Sequence, residues 1–146
     1  MGDFRKLTES VYVAPQLVQG DFVEARRLGI ATIVNNRPDG EAPGQLTDGE
    51  ARQAAEAAGM AYHCLPISPG GFGPDQVNRM AALLAEGPSP VLAYCRSGTR
   101  STILWAFACA GRTPVDALIA AAAHQGYDLV PYRATLESLA KDRAGA

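Results

Sequence analysis

The segment at residues 92–101, LAYCRSGTRS, places one cysteine, two arginines, one glycine and two serines directly behind an apolar run. The run Val91–Cys95 is continuous and small, as expected of a central parallel strand buried on both faces. RSGTR then turns, and a helix is expected from Gly98 to Ala110. A strand, a tight turn and a helix N-terminus make an anion cradle, because ligands in open α/β sheets bind at the carboxyl ends of strands and helix N-termini present free amides. Arg96, Ser97, Gly98, Thr99 and Ser101 supply the loop. Gly98 gives backbone freedom and close approach. Arg100 supplies a planar two-pronged donor for an oxyanion. The same field favours an ionised sulfur at Cys95, and the thiolate is the attacking form of cysteine. The Ser101 hydroxyl is expected to donate to that sulfur or to a departing group. A cysteine at a strand end is most often a small buried hydrophobe. The two flanking arginines and the following helix shift the reading of Cys95 to a nucleophile.

Strand and helix signals alternate outward from this point. Val11–Ala14 reads as a strand that pairs with FRKL (residues 4–7) across TES. A helix is expected at Asp21–Gly29, with an Asp cap and a Gly stop. The β-branched Ile30–Asn36 reads as a strand, RPDGEAPGQLT (residues 37–47) as loop, and Asp48–Gly59 as helix. Ala61–Ile67 reads as strand and Pro74–Gly87 as helix, with Val77, Met80, Leu83 and Leu84 on one face. Two helices close the chain, Pro114–Gln125 and Tyr132–Arg143. The order implies an α/β sandwich of parallel strands with right-handed crossovers, one domain over residues 1–146.

The 146 residues are 47% hydrophobic and carry 13 basic against 15 acidic side chains, a formal charge of -2. That balance argues against a nucleic-acid or anionic-membrane binder. Three cysteines, Cys64, Cys95 and Cys109, lack any disulfide-scaffold or metal spacing and fit a reducing cytoplasm. Cys64 and Cys109 read as core. His63 and His124 have no second ligand at metal spacing, so neither a metal nor a cofactor is expected. Neither a secretion signal nor a myristoylation pattern is present at the start, and the longest apolar stretch is too short to span a bilayer.

CRSGTRS after an apolar strand resembles the active-site loops of rhodaneses and cysteine-based phosphatases. Taken with VNNRPDGEAPGQ (residues 34–45) and GYDL (residues 126–129), it resembles the DUF442 family, the phosphatase-like domain of β-lactamase-hydrolase-like proteins, over about Leu7 to Leu139. The resemblance implies a dual-specificity-phosphatase-like three-layer sandwich, with a small, mainly parallel sheet of four to five strands flanked by helices. It maps Cys95 to the nucleophile and Arg100 to the oxyanion-binding arginine. Members are called phosphatase or sulfurtransferase, and some are fused to persulfide dioxygenases, which makes such a dioxygenase an implied partner.

Two departures bear on the activity. Tyrosine phosphatases use Cys-x5-Arg, whereas this loop is Cys-x4-Arg, a smaller ring that favours a single sulfur atom over a phosphoryl group. SPGGFGPDQ (residues 68–76) places no Asp where the family's general acid belongs; Asp75 reads as a helix-start residue. Asp39 and Glu41 are the alternative acids, with Pro38-Asp39-Gly40 equally readable as a plain turn. Arg37 reads either as a rim residue binding an anionic substrate or as a solvated loop arginine, and Arg96 is expected to point outward. The expectation is therefore a rhodanese-type sulfurtransferase working through a Cys95 persulfide with thiol, persulfide or thiosulfate substrates. The alternatives are a phosphatase using a cysteinyl-phosphate on a phosphoester, and a non-catalytic anion- or sulfur-sensing module.

Overall fold

The computed structural model describes residues 2–144. Its sheet has five strands: β1 (Arg5–Thr8), β2 (Val11–Ala14), β3 (Thr32–Asn35), β4 (Ala61–Cys64) and β5 (Val91–Tyr94), in the order β1-β2-β5-β3-β4. Only β1 runs antiparallel to its neighbour; β2, β5, β3 and β4 are parallel. The register is level at one edge. Ala14 and Asn35 both stand opposite Tyr94, and Cys64 stands opposite Asn35. Four chain exits therefore open on the same side of the sheet, with the one after β5 in the middle.

The alternation of side chains along β5 explains the layers. Leu92 and Tyr94 pack with Phe22 and Ala25 of α1 (Gln19–Arg27) and with Ala51 and Ala55 of α2 (Asp48–Ala57). Val91 and Ala93 face the opposite way, against Val77 and Met80 of α3 (Pro74–Glu86) and Leu104 and Ala108 of α4 (Thr99–Cys109). A third cluster joins β1 and β2 to α4, α5 (Val115–His124) and α6 (Arg133–Ala144), centred on Trp105, Leu118 and Leu136. The result is the expected three-layer sandwich, with two helices on one face and four on the other.

Three local expectations change. The helix α1 begins at Gln19, because the Asp21 carboxylate turns back to accept the Val18 N–H at 2.9 Å; Asp21 serves from inside the first turn rather than as the cap. The strand expected from Ala61 to Ile67 ends at Cys64. Leu65 and Ile67 still donate to the Asn35 and Asn36 carbonyls at 2.8 Å, but Pro66 between them has no N–H to extend the ladder. The strand expected from Ile30 starts at Thr32. α2 is set by a reciprocal cap: Glu50 N–H donates to Thr47 Oγ1 at 3.1 Å, and Thr47 N–H to Glu50 Oε1 at 2.9 Å.

Leu104 is fully buried between α4 and α3. Leu104→Ala is expected to cost about 2–5 kcal/mol, read as a lower urea midpoint at unchanged m-value.

Candidate active site

The central exit carries Cys95. Its amide donates to the Ala14 carbonyl at 3.3 Å, and the next carbonyl, of Arg96, accepts from Gln16 N–H at 3.2 Å, so β2 steers the turn. On the other flank Asn36, fully buried, donates to the Leu65 carbonyl at 2.9 Å and accepts from the Ser101 hydroxyl at 2.8 Å. One amide thus ties the end of β3, the segment after β4 and the first turn of α4 together. Ser101, expected to reach the sulfur, is committed to this tie. Its hydroxyl holds the helix against the sheet instead.

Gly98 caps α4 in the left-handed region, at φ 92°. From there its N–H reaches back to Cys95 Sγ at 3.1 Å. The first-turn amides of α4 have no intrahelical acceptor, and the helix dipole adds positive potential at the same place. Ser97 and Thr99 bond to each other through their hydroxyls at 3.0 Å and stay exposed, as does Arg96. Tyr127 closes the loop from below: its hydroxyl donates to the Ser97 carbonyl at 2.9 Å. A Cβ on Gly98 would overlap Tyr127 Oη and stand 2.9 Å from its Cζ. Arg5 lies over the Tyr127 ring, 5.1 Å from its centroid, and donates to the Gln125 carbonyl at 3.0 Å. The sequence marks Tyr127 only as part of GYDL (residues 126–129), with no chemistry attached to it.

Arg100 and Arg37 meet at one carboxylate. Arg100 grips Glu41 with both terminal nitrogens, at 2.9 and 2.7 Å, and also donates to the Ile67 carbonyl at 2.6 Å. Arg37 Nε donates to Glu41 Oε1 at 2.8 Å and its Nη1 to Gln16 Oε1 at 3.1 Å. Arg37 is buried, only 4% exposed, so the solvated reading of this residue is corrected. The Arg100 hydrogen bonds hold the Glu41 carboxyl at about 2, with Arg37 adding to the effect against the opposing cost of burial. Glu41 is therefore ionised and unsuited to give a proton. Arg100 is held in its charged form chiefly by Glu41, and the nearby Cys95 sulfur adds to this. A cavity of about 420 Å³ opens over the loop, lined by Glu41, Pro69, Arg96, Ser97 and Arg100, while Cys95 is fully buried.

The structure thus brings Cys95, Arg96, Ser97, Gly98, Thr99, Arg100, Arg37 and Glu41 to one place. Asp39 stands apart: it is exposed and accepts the Asp48 N–H at 2.8 Å, fixing the loop to the start of α2. Cys64 and Cys109 are partly buried and free of disulfides. Burial pushes the Cys64 thiol up to about 11 and raises Cys109 as well, so both stay protonated at neutral pH. Among the described residues, no group of three His, Cys, Asp or Glu side chains could hold a metal, and no helix is long and apolar enough to cross a membrane.

A parallel sheet whose central strand ends in a cysteine, followed by a left-handed glycine and a helix-borne arginine, defines the phosphatase-like class of cysteine-nucleophile folds. The crystal structure of Tk-PTP in its active form shares that fold at 16% identity and a TM-score of 0.72, over 96% of this chain and 97% of that one. The chain belongs to the family described as the phosphatase-like domain of β-lactamase hydrolase-like proteins, whose model matches residues 3–112. A β-lactamase hydrolase-like protein of Agrobacterium fabrum is 35% identical over 100 residues, 68% of this chain and 23% of its own length. A crystal structure from Neisseria meningitidis, named provisionally as a phosphatase, is 36% identical with a TM-score of 0.81, covering 92% of this chain and 96% of that one. The chain spans only 23–29% of the length of the curated relatives it matches. These likenesses give no support to sulfur transfer and favour the phosphatase alternative.

Two outcomes follow from this geometry. Gly98→Ala forces a Cβ against Tyr127 at a positive φ and is expected to destabilise the protein by about 1–3 kcal/mol, with Tyr127→Phe costing about 1 kcal/mol; paired denaturant curves check both. The carboxyl of Glu41 lies below its ordinary value of 4.5, so its contribution to stability is complete above that pH and is lost as pH falls toward about 2. Glu41→Gln should flatten that part of the acid-unfolding curve.

Proposed function

We propose that this domain hydrolyses phosphate monoesters through a cysteinyl-phosphate at Cys95. The single observation that carries the reading is the Gly98 N–H on Cys95 Sγ at 3.1 Å, at the start of the helix that carries Arg100. That arrangement offers amide donors to the oxygens of an incoming phosphoryl group. Glu41 takes the Nη1 and Nη2 side of Arg100. The guanidinium carries five N–H donors, so its Nε side remains to meet an oxyanion, already oriented by the carboxylate behind it. Arg37 and Arg100 against one Glu41 leave a net positive charge at the mouth, which suits a dianionic substrate.

In the first step the Cys95 thiolate attacks phosphorus, the S–P bond forms and the P–O bond to the leaving group breaks. In the second, water attacks the same phosphorus, the S–P bond breaks, and phosphate leaves with the thiolate restored. The family membership and the likeness to the Neisseria meningitidis protein support phosphate as the transferred group.

Phosphate release from 4-nitrophenyl phosphate is the expected activity, lost by about 10³-fold or more in Cys95→Ser. A phosphoenzyme should be seen by phosphorus NMR after acid quench. Thiocyanate from thiosulfate and cyanide, without phosphate release, would overturn the reading in favour of sulfur transfer.

A further inference from the structure

The structure assigns to Tyr127 the part of a positioning residue for the nucleophile. Through the one peptide group that joins Ser97 to Gly98, its hydroxyl holds the Gly98 N–H on Cys95 Sγ and so sets how readily that sulfur ionises. The inference rests on Cys95 being the nucleophile of the reading above, and it holds whichever group the sulfur takes.

The carbonyl that Tyr127 binds and the amide that Cys95 binds are two ends of one group. Tyr127 Oη donates to the Ser97 carbonyl at 2.9 Å, and the N–H of the same peptide, that of Gly98, donates to Cys95 Sγ at 3.1 Å. The peptide is trans, so its C=O and N–H point to opposite sides. A donor on the oxygen polarises the group and strengthens the N–H at its far end, as hydrogen bonds in a chain reinforce one another. It also fixes a direction. Gly98, at φ 92°, has no Cβ to limit rotation, so this is the peptide of the loop most in need of an outside hold. The loop's own hydroxyls are engaged elsewhere: Ser97 with Thr99, and Ser101 with Asn36.

Tyr127 is itself firmly placed. Its ring is buried in the cluster of Trp105 and Leu118, and it fits Gly98 so closely that a Cβ there would overlap its Oη. Burial raises the phenol above its ordinary value, against the opposing pull of Arg5 over the ring, so the hydroxyl keeps its proton and remains the donor. The charged groups around the loop are Arg96 beside Cys95, Arg100 on α4 with its partner Glu41, and Arg37; Arg5 and Asp3 stand behind Tyr127. Tyr127→Phe removes one oxygen and changes none of these charges.

The test follows alkylation of Cys95 by iodoacetamide against pH on the intact domain, read on the Cys95 peptide by mass. Tyr127→Phe should move the midpoint of the profile up by about 0.5–1 pH unit, roughly three- to tenfold slower alkylation below both midpoints, because a hydrogen bond to the charged form is weakened. The Gly98 amide proton resonance should shift toward that of a weaker hydrogen bond. Met80→Ala, a fully buried site in the core between α3 and the sheet, lowers stability without touching the loop and should keep the parent profile. In the unmodified protein, the Gly98 amide and the Tyr127 Cζ resonances should both titrate at the alkylation midpoint, a reading that needs no variant. An unmoved midpoint in Tyr127→Phe would overturn the inference. So would an equal shift in Met80→Ala, or a Gly98 or Tyr127 resonance indifferent to the ionisation of the sulfur. A relay that behaves as expected in a protein releasing no phosphate from 4-nitrophenyl phosphate would overturn the phosphatase reading alone.

Discussion

A carboxylate held between two guanidiniums organises the functional edge of this sheet. Glu41 comes from a long turn-rich loop, Arg37 from the start of that loop just beyond β3 and Arg100 from the first turn of α4, and the three meet largely out of water. Removing charges from water is costly, so such a cluster persists only where the partners are closely matched. Here the match is made by a bidentate grip on one side and a single Nε contact on the other. The arrangement fixes a loop that would otherwise be free, and it leaves one positive charge uncompensated where an anion would arrive.

The backbone around Cys95 is determined as tightly, but by hydrogen bonds rather than charge. Gln16, two residues beyond β2, bonds on one side, and Asn36, directly after β3, knits the other to α4. Tyr127, held by Arg5 from the first strand, presses on Gly98. Groups from across the chain are thus brought to bear on a loop of six residues, Cys95 to Arg100. A preorganised cradle needs such support, since donors that must reorient during reaction lose much of their benefit.

Much of this was legible in the sequence. The apolar run ending in Cys95, the glycine at the helix start and the arginine after it announced the loop, because each residue type has a narrow physical use there. The alternation of strand and helix gave the sheet and its layers. What stayed hidden depends on long-range partners. Ser101 could be read as a donor to sulfur from its spacing alone; only the placement of Asn36, 65 residues away, shows that its hydrogen bond goes elsewhere. Asp39 and Glu41 were indistinguishable as loop acids, since nothing local says which one meets two arginines and which one caps a helix. Tyr127 lies in GYDL, a motif to which the sequence attaches no chemistry, and its role exists only through contact with Gly98 and Ser97. The preference for sulfur over phosphorus rested on ring size and on the lack of a well-placed Asp in residues 68–76; the first argument counts residues but not the oxygens they can bind.

The strand order has a consequence for how the molecule comes into being. β5 is inserted between β2 and β3, which precede it by many residues, and it contributes Cys95 at its tip. Pairings this distant in sequence assemble slowly compared with local ones. During synthesis, β2, β3 and β4 emerge with an unfilled slot between the first two, and Tyr127 emerges later still. Cys95 and its ring of amides therefore come together only after Tyr127 has been made, so a polypeptide cut short before that point carries no supported cradle.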